Sequence, residues 1–184
     1  MTYRVGYFVG SLSSQSINRK LANALVAVAP TELELVEIGY ANLPLYNRDL
    51  DAAYPLEAAA FKASIANVDA VLFVTPEYNR SIPGALKNAI DWGSRPAGEN
   101  IFKGKPAATI GASRGFGTAM AQQHLKNVLA FLDAPSMGQP EGYIKFTDGL
   151  IADDGAVADP DTAEFFRHWM AAFAQHIAKN LAAR

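Results

Sequence analysis

An α/β fold, with a parallel sheet covered by helices on both faces, is predicted by three features of the sequence. Short apolar runs alternate with helix-spaced segments along the whole 184-residue chain, the pattern of repeated strand–helix units. One run, Asp69–Thr75 (DAVLFVT), is almost continuously apolar, as a strand buried on both faces must be. The connections after the first and third runs carry unusual clusters of Ser, Asn, Pro and Tyr, whereas the others look ordinary.

The elements follow in order. Tyr3–Val9 (YRVGYFV) is a first strand ending in Gly10-Ser11. Ile17, Leu21, Leu25 and Val28 recur at helical spacing, so a helix starts near Ser16 and stops before Pro30. Leu33–Ile38 alternates as a second strand; a Pro- and Asn-containing connection and a helix over Leu56–Ala66 lead into Asp69–Thr75. Pro83–Trp92 is a helix with Pro in its first turn. Pro106–Ala112 is a strand, Thr118–Leu132 a helix, and Ala134–Met137 is expected to be the fifth strand. Gly138–Asp161 is expected to be irregular, followed by a closing helix with Phe165, Trp169, Phe173, Ile177 and Leu181 at a spacing of four. That stripe is read as core or subunit interface. Five strands and five helices in one domain over 1–184 suggest a flavodoxin-like three-layer sandwich with strand order 2-1-3-4-5. In such sheets ligands bind outside the carboxyl ends of the strands where the order reverses, beside the loops after strands one and three.

Composition narrows the function classes. Apolar residues make up 50%, charged residues 18%, and the net charge is −2. No basic cluster offers a footprint for nucleic acid. There is no cysteine, which removes disulfides, thiolate catalysis and cysteine-ligated clusters. With no signal-like segment and no run near the roughly 20 apolar residues that span a bilayer, a cytoplasmic protein is expected. His124, His168 and His176 lack metal-ligand spacing, and no metal site is expected.

The loop Gly10–Asn18 (GSLSSQSIN) supplies hydroxyls from Ser11, Ser13, Ser14 and Ser16, an amide from Asn18, and the free N–H groups of a helix start. Together they suit a phosphate without any lysine. The loop is neither a Walker A nor a G-x-G-x-x-G sequence. The plainer alternative is a polar turn in which Ser16 caps the helix. Thr75–Pro83 (TPEYNRSIP) offers a stiff exit at Pro76, a flat face at Tyr78, and polar groups at Glu77 and Asn79, matching a planar heteroaromatic ring with a polar edge.

Three segments carry a resemblance: G-S-L-x-x-x-S-x-N in Gly10–Asn18, T-P-E-Y-N-x-S-x-P-G-x-L-K-N-A-I-D-W in Thr75–Trp92, and G-A-S-x-G around Ser113. Together they resemble the NADPH-dependent FMN reductase family, which includes chromate, quinone and ferric reductases. The resemblance implies bound FMN, NADH or NADPH as reductant, and ping-pong hydride transfer through flavin N5 to quinones, ferric complexes or chromate. It further implies that Ser11, Ser13, Ser16, Ile17 and Asn18 hold the phosphate, and that Pro76, Glu77, Tyr78 and Asn79 line the isoalloxazine. Ser113, Arg114 and Gly115 would approach its other side. A homodimer is implied, with Arg95 reaching the neighbouring subunit's cofactor. Many relatives carry Arg at the position of Ser13, so the nicotinamide preference stays open. Some tetrameric relatives carry Arg and Tyr at the positions of Met120 and Gln123, so a dimer is expected here.

Two other readings remain at this point. A flavodoxin-type electron carrier would use the same loops without reacting with reduced nicotinamide. A serine hydrolase would use Ser113 in Gly111–Gly115, which matches G-x-S-x-G between a strand and a helix.

Overall fold

The computed structural model describes residues 1–115 and 117–183. Its strands are β1 (Tyr3–Val9), β2 (Leu33–Glu37), β3 (Ala70–Val74), β4 (Ala107–Ser113) and β5 (Gly142–Lys145). They form one parallel sheet of order β2-β1-β3-β4-β5, the predicted flavodoxin-like order. The helices are α1 (Ile17–Ala27), α2 (Leu56–Ala66), α3 (Gly84–Gly93), α4 (Ala119–Phe131) and α5 (Pro160–Ala182). A 3-10 turn over Arg48–Ala53 lies in the connection before α2.

The period-2 alternation of strand side chains sorts the core into two layers. Val5, Val9, Leu72, Val74 and Ile110 pack on one face with Leu21 and Leu25 of α1 and with Phe166, Trp169, Phe173 and Ile177 of α5. Phe8, Val71 and Phe73 pack on the other face with Phe61 and Ile65 of α2, Leu86, Ile90 and Trp92 of α3, and Leu125 and Leu129 of α4. All five residues of β3 are buried, as expected for the central strand. The aromatic stripe of α5 is therefore core. No helix among the described residues is long and apolar enough to cross a membrane.

One strand assignment needs correction. Ala134–Met137 is not the fifth strand; it makes an isolated bridge in which Ser136 faces Ala107. Pro135 has no N–H to donate, and the segment bonds only around one residue of β4, through Ala107 N–H to Pro135 O and Met137 N–H to Ala107 O. The fifth strand is Gly142–Lys145, inside the stretch expected to be irregular. Helix α5 begins at Pro160. There Asp159 accepts from the N–H and hydroxyl of Thr162, and these bonds hold its carboxyl below the usual range.

Candidate functional site: a donor-rich cleft at the switch point

The carboxyl ends of β1, β3 and β4 meet around Thr75. Gly10 N–H donates to Val74 O at 2.8 Å, and Thr75 N–H donates to Ile110 O at 2.9 Å. Two glycines permit this approach. A Cβ on Gly10 would lie 2.8 Å from Thr75 Oγ1 and 3.0 Å from Pro76 Cδ, and one on Gly111 would overlap the carbonyl oxygen of Thr75. The three loops thus surround an open cleft of about 330 Å³, whose lining includes Ser11, Ser13, Ser16, Ile17, Asn18, Pro76, Glu77, Tyr78, Ser113 and Arg114. Ten of the thirteen predicted site residues lie there. Asn79 and Gly115 are exposed beside it in sequence. Arg95 is absent from the lining; its guanidinium sits over the Tyr46 ring, 5.9 Å from the centroid, at a separate depression.

The first wall is the Ser11–Ser16 loop. Ser16 is the N-cap of α1 and accepts from Arg19 N–H at 3.3 Å, so the capping reading of Ser16 holds in the same loop that faces the cleft. Arg19 and Lys20 N–H reach Ser16, whereas the Ile17 and Asn18 amides at the start of α1 have no carbonyl one turn back to bond. They leave donors and the positive end of the helix dipole at the loop. Ser11 accepts from Ser13 N–H at 3.3 Å and shares a 3.2 Å hydrogen bond with the Tyr78 hydroxyl. That contact ties the first wall to the second.

Asn18 lies at the base of the cleft, only 1% exposed. Its Nδ2 donates to Ala112 O at 3.0 Å, and its Oδ1 accepts from Ala112 N–H at 2.9 Å. This pair fastens the start of α1 to the end of β4. Asn18 thereby sets the spacing between two walls.

The second wall is Thr75–Ser81. Tyr78 and Ser81 exchange backbone bonds of 3.1 and 3.0 Å around Asn79 and Arg80, which both have positive φ, 51° and 62°. Left-handed backbone at non-glycine residues is disfavoured, and here it presents a half-exposed Tyr78 ring to the cleft. The Glu77 carboxylate points elsewhere. Its Oε2 accepts from Met120 and Ala121 N–H at 3.0 and 3.2 Å, and its Oε1 pairs with Arg80. It caps α4, whose own N-cap Thr118 makes no side-chain capping bond. Glu77→Ala should destabilise the protein by about 1 kcal/mol through loss of this cap, measured by urea denaturation.

The third wall is the loop after β4. Ser113 Oγ donates to Gly117 O at 2.9 Å and accepts from Gly115 N–H at 3.3 Å. These hydrogen bonds organise the loop. Of the histidines, His124 bonds Ser81 and His176 bonds Pro135 O, while the hydrogen bonds of Ser113 run to loop backbone groups. Among the described residues, Arg114 is the only cationic side chain of the cleft lining. It is held by Asp148 at 2.6 Å and lies 5.6 Å from the Phe146 ring centroid.

A buried brace that sequence reasoning did not identify supports this wall. Gln122 is fully buried. Its Oε1 accepts from Thr109 Oγ1, and its Nε2 donates to Thr118 Oγ1 and Gly142 O, at 2.8 to 3.1 Å. It joins β4, α4 and β5 beneath the loop. Nothing in the polar-looking helix segment around it singled it out.

The residues fit an FMN phosphate. Neutral hydroxyl and amide donors gather at a helix start, Gly10 and Gly111 let the surrounding loops close on Thr75, and the nearby carboxylate of Glu77 is engaged with α4. A larger cavity of about 480 Å³ lies between Gly39–Leu43 and α2, but Glu57 is its only charged lining residue. That makes it unsuited to an anion.

The NADPH-dependent FMN reductase family model matches residues 3–148. The chain is similar to a 2-hydroxy-1,4-benzoquinone reductase from a Burkholderia species, 46% identical over 175 residues that cover 95% of this chain and 96% of the relative. It is also similar to a quinone reductase from Pseudomonas putida, 45% identical over 185 residues covering 98% and 97%. Among solved structures, the flavoenzyme NAD(P)H:(acceptor) oxidoreductase FerB from Paracoccus denitrificans is 45% identical with a TM-score of 0.93, covering 97% of this chain and 99% of that one. The chain belongs to the NADPH-dependent FMN reductase family.

Proposed function

We propose that the cleft holds FMN and that the chain is an FMN-dependent NAD(P)H:acceptor oxidoreductase with quinones as its principal acceptors. Ferric complexes and chromate are further acceptors that an open site of this kind would admit. The observation that carries the reading is the meeting of a lysine-free donor loop with a flat, stiff wall at the switch point. When bound, FMN supplies a two-electron carrier that accepts hydride from NAD(P)H and passes the electrons on.

The chain's own residues bind and orient. Ser11, Ser13 and Ser16, with the first amides of α1, would hold the phosphate through hydrogen bonds and the helix dipole. Pro76 and Tyr78 would support one side of the ring system, with the backbone of Glu77 and Asn79 offering polar groups along its edge. Ser113, Arg114 and Gly115 would close the opposite side, and Asn18 would keep the two sides in register. Because the cleft is one open depression, reductant and acceptor would use it in turn. Initial rates with NADH and benzoquinone should therefore give parallel double-reciprocal lines; intersecting lines or no turnover would contradict the reading.

The protein is proposed to act as a homodimer in which Arg95 of one copy completes the cleft of the other. Arg95 is exposed and outside its own chain's cleft. Leu45 and Leu56, in the connection and helix near it, are each 84% exposed, as befits an apolar surface covered by a second copy. Arg95→Ala should weaken FMN retention about tenfold or more, the scale of one lost charge-assisted hydrogen bond, as measured by fluorescence of released flavin. Unchanged retention would exclude a role for Arg95 across subunits.

A further inference from the structure

A second cleft, of about 320 Å³, adjoins the first across the serine loop and shares Ser11 and Ser13 with it. Its far wall is the end of β2, where Glu37 precedes Ile38, Gly39, Tyr40 and Ala41. Arg19 grips Glu37 with two hydrogen bonds of 2.6 Å each, and the Tyr7 hydroxyl donates to the same carboxylate at 3.2 Å. The Arg19 guanidinium holds the Glu37 carboxyl below its usual range, so it is ionised at neutral pH. Both side chains keep access to the cleft, with 38% of Arg19 and 40% of Glu37 exposed. Leu12, on the opposite wall, is 55% exposed.

We infer that this second cleft receives the adenosine half of the nicotinamide dinucleotide, with Glu37 accepting a hydrogen bond from an adenosine ribose hydroxyl. The inference rests on the reductase reading above and extends it to the choice of reductant. Three properties of the cleft support it. In doubly wound sheets whose first loop is the glycine-rich dinucleotide fingerprint, an acidic residue past the first βα unit holds the ribose; this chain's first loop is a serine loop instead, and Glu37 ends the second strand in the corresponding place. A carboxylate has about four acceptor sites, and with Arg19 on both oxygens and Tyr7 on Oε2, Glu37 keeps one on Oε1 for a ribose hydroxyl. Leu12 gives the base exposed apolar surface, and only the serine loop separates this cleft from the one assigned to the reacting ring.

The charge arrangement then sets a preference. The extra phosphate of NADPH would meet the Glu37 carboxylate, while the guanidinium able to receive it is already gripped on two nitrogens. Glu37 with Arg19 is thus the determinant that favours NADH. Replacing the carboxylate by an amide frees Arg19 for the phosphate.

The test pairs a binding measurement with a kinetic one. The FMN-loaded, isotope-labelled protein is titrated with ADP-ribose, which carries the adenosine half and no nicotinamide, while amide NMR shifts are followed. The expected result is perturbation of Leu12–Ser14 and Gly39–Ala41. Saturation without shifts in those segments would overturn the inference while leaving the reductase reading intact. In Glu37→Gln, the ratio of kcat/KM for NADPH to that for NADH should rise tenfold or more, and a change below twofold would also overturn it. If that variant does not fold, the titration of the unaltered protein decides. Localised shifts without flavin reduction by either dinucleotide would support the adenosine cleft and defeat the reductase reading.

Discussion

Gly111→Ala should be the most disruptive single methyl group that can be added to this protein. The new Cβ would overlap the carbonyl oxygen of Thr75 and come within 2.5 Å of Thr118 Oγ1. The obstacle is largely main chain, and Thr75 is fixed by its own bond to Ile110 at 2.9 Å. Overpacking ordinarily costs about 1–3 kcal/mol, and more where neighbours have no room to move. A loss of about 3 kcal/mol or more in urea denaturation is expected, together with loss of FMN binding, because β3 and β4 would be forced apart at the cleft floor. Gly115→Ala is the control: its Cβ would meet nothing within 4 Å, so stability should hardly change. Equal stability of the two variants would refute the convergence of loops on Thr75.

Asn18→Ala should come second. It strips partners from both the N–H and the carbonyl of Ala112, a residue only 1% exposed. Each unsatisfied buried group costs about 1–3 kcal/mol, so a destabilisation of about 3 kcal/mol is expected, reduced if water enters the gap. The accompanying signature is weakened FMN affinity, since the serine loop loses its tether to the Ser113 loop. A stable variant with normal affinity would show that Asn18 does not set the spacing of the walls.

These two residues show where the sequence was readable and where it stopped. Ser16 was legible as a helix start because capping is local chemistry, and β3 because a strand buried on both faces needs no periodicity. The short β5 was not legible. Gly142–Lys145 holds a glycine and only two inward-facing residues, and its pairing is decided by β4, more than thirty residues upstream. The apolar look of Ala134–Met137 attracted the strand assignment instead, although Pro135 cannot join a ladder.

In the site, the clustered residue types at the switch point located the cleft. They did not assign each side chain its work. An asparagine beside a phosphate loop has the same donors whether it faces a ligand or a backbone, and only the fold aims Asn18 at Ala112. The same holds for Glu77, whose carboxylate serves the start of α4. Gln122 and the Arg19–Glu37 pair were missed because their partners lie on elements distant in sequence. Arg95 is the converse case. Its motif identified it, yet one copy of the chain does not carry it to the cleft.

The central claim is that this cleft holds FMN which reduced nicotinamide can reduce. Its most direct test is the visible spectrum of the purified, FMN-supplied protein under anaerobic conditions while NADH and then benzoquinone are added. The account predicts a bound-flavin absorption band that bleaches with NADH and returns with the quinone. A protein that takes up no FMN, or a bound band that neither NADH nor NADPH bleaches, would contradict it.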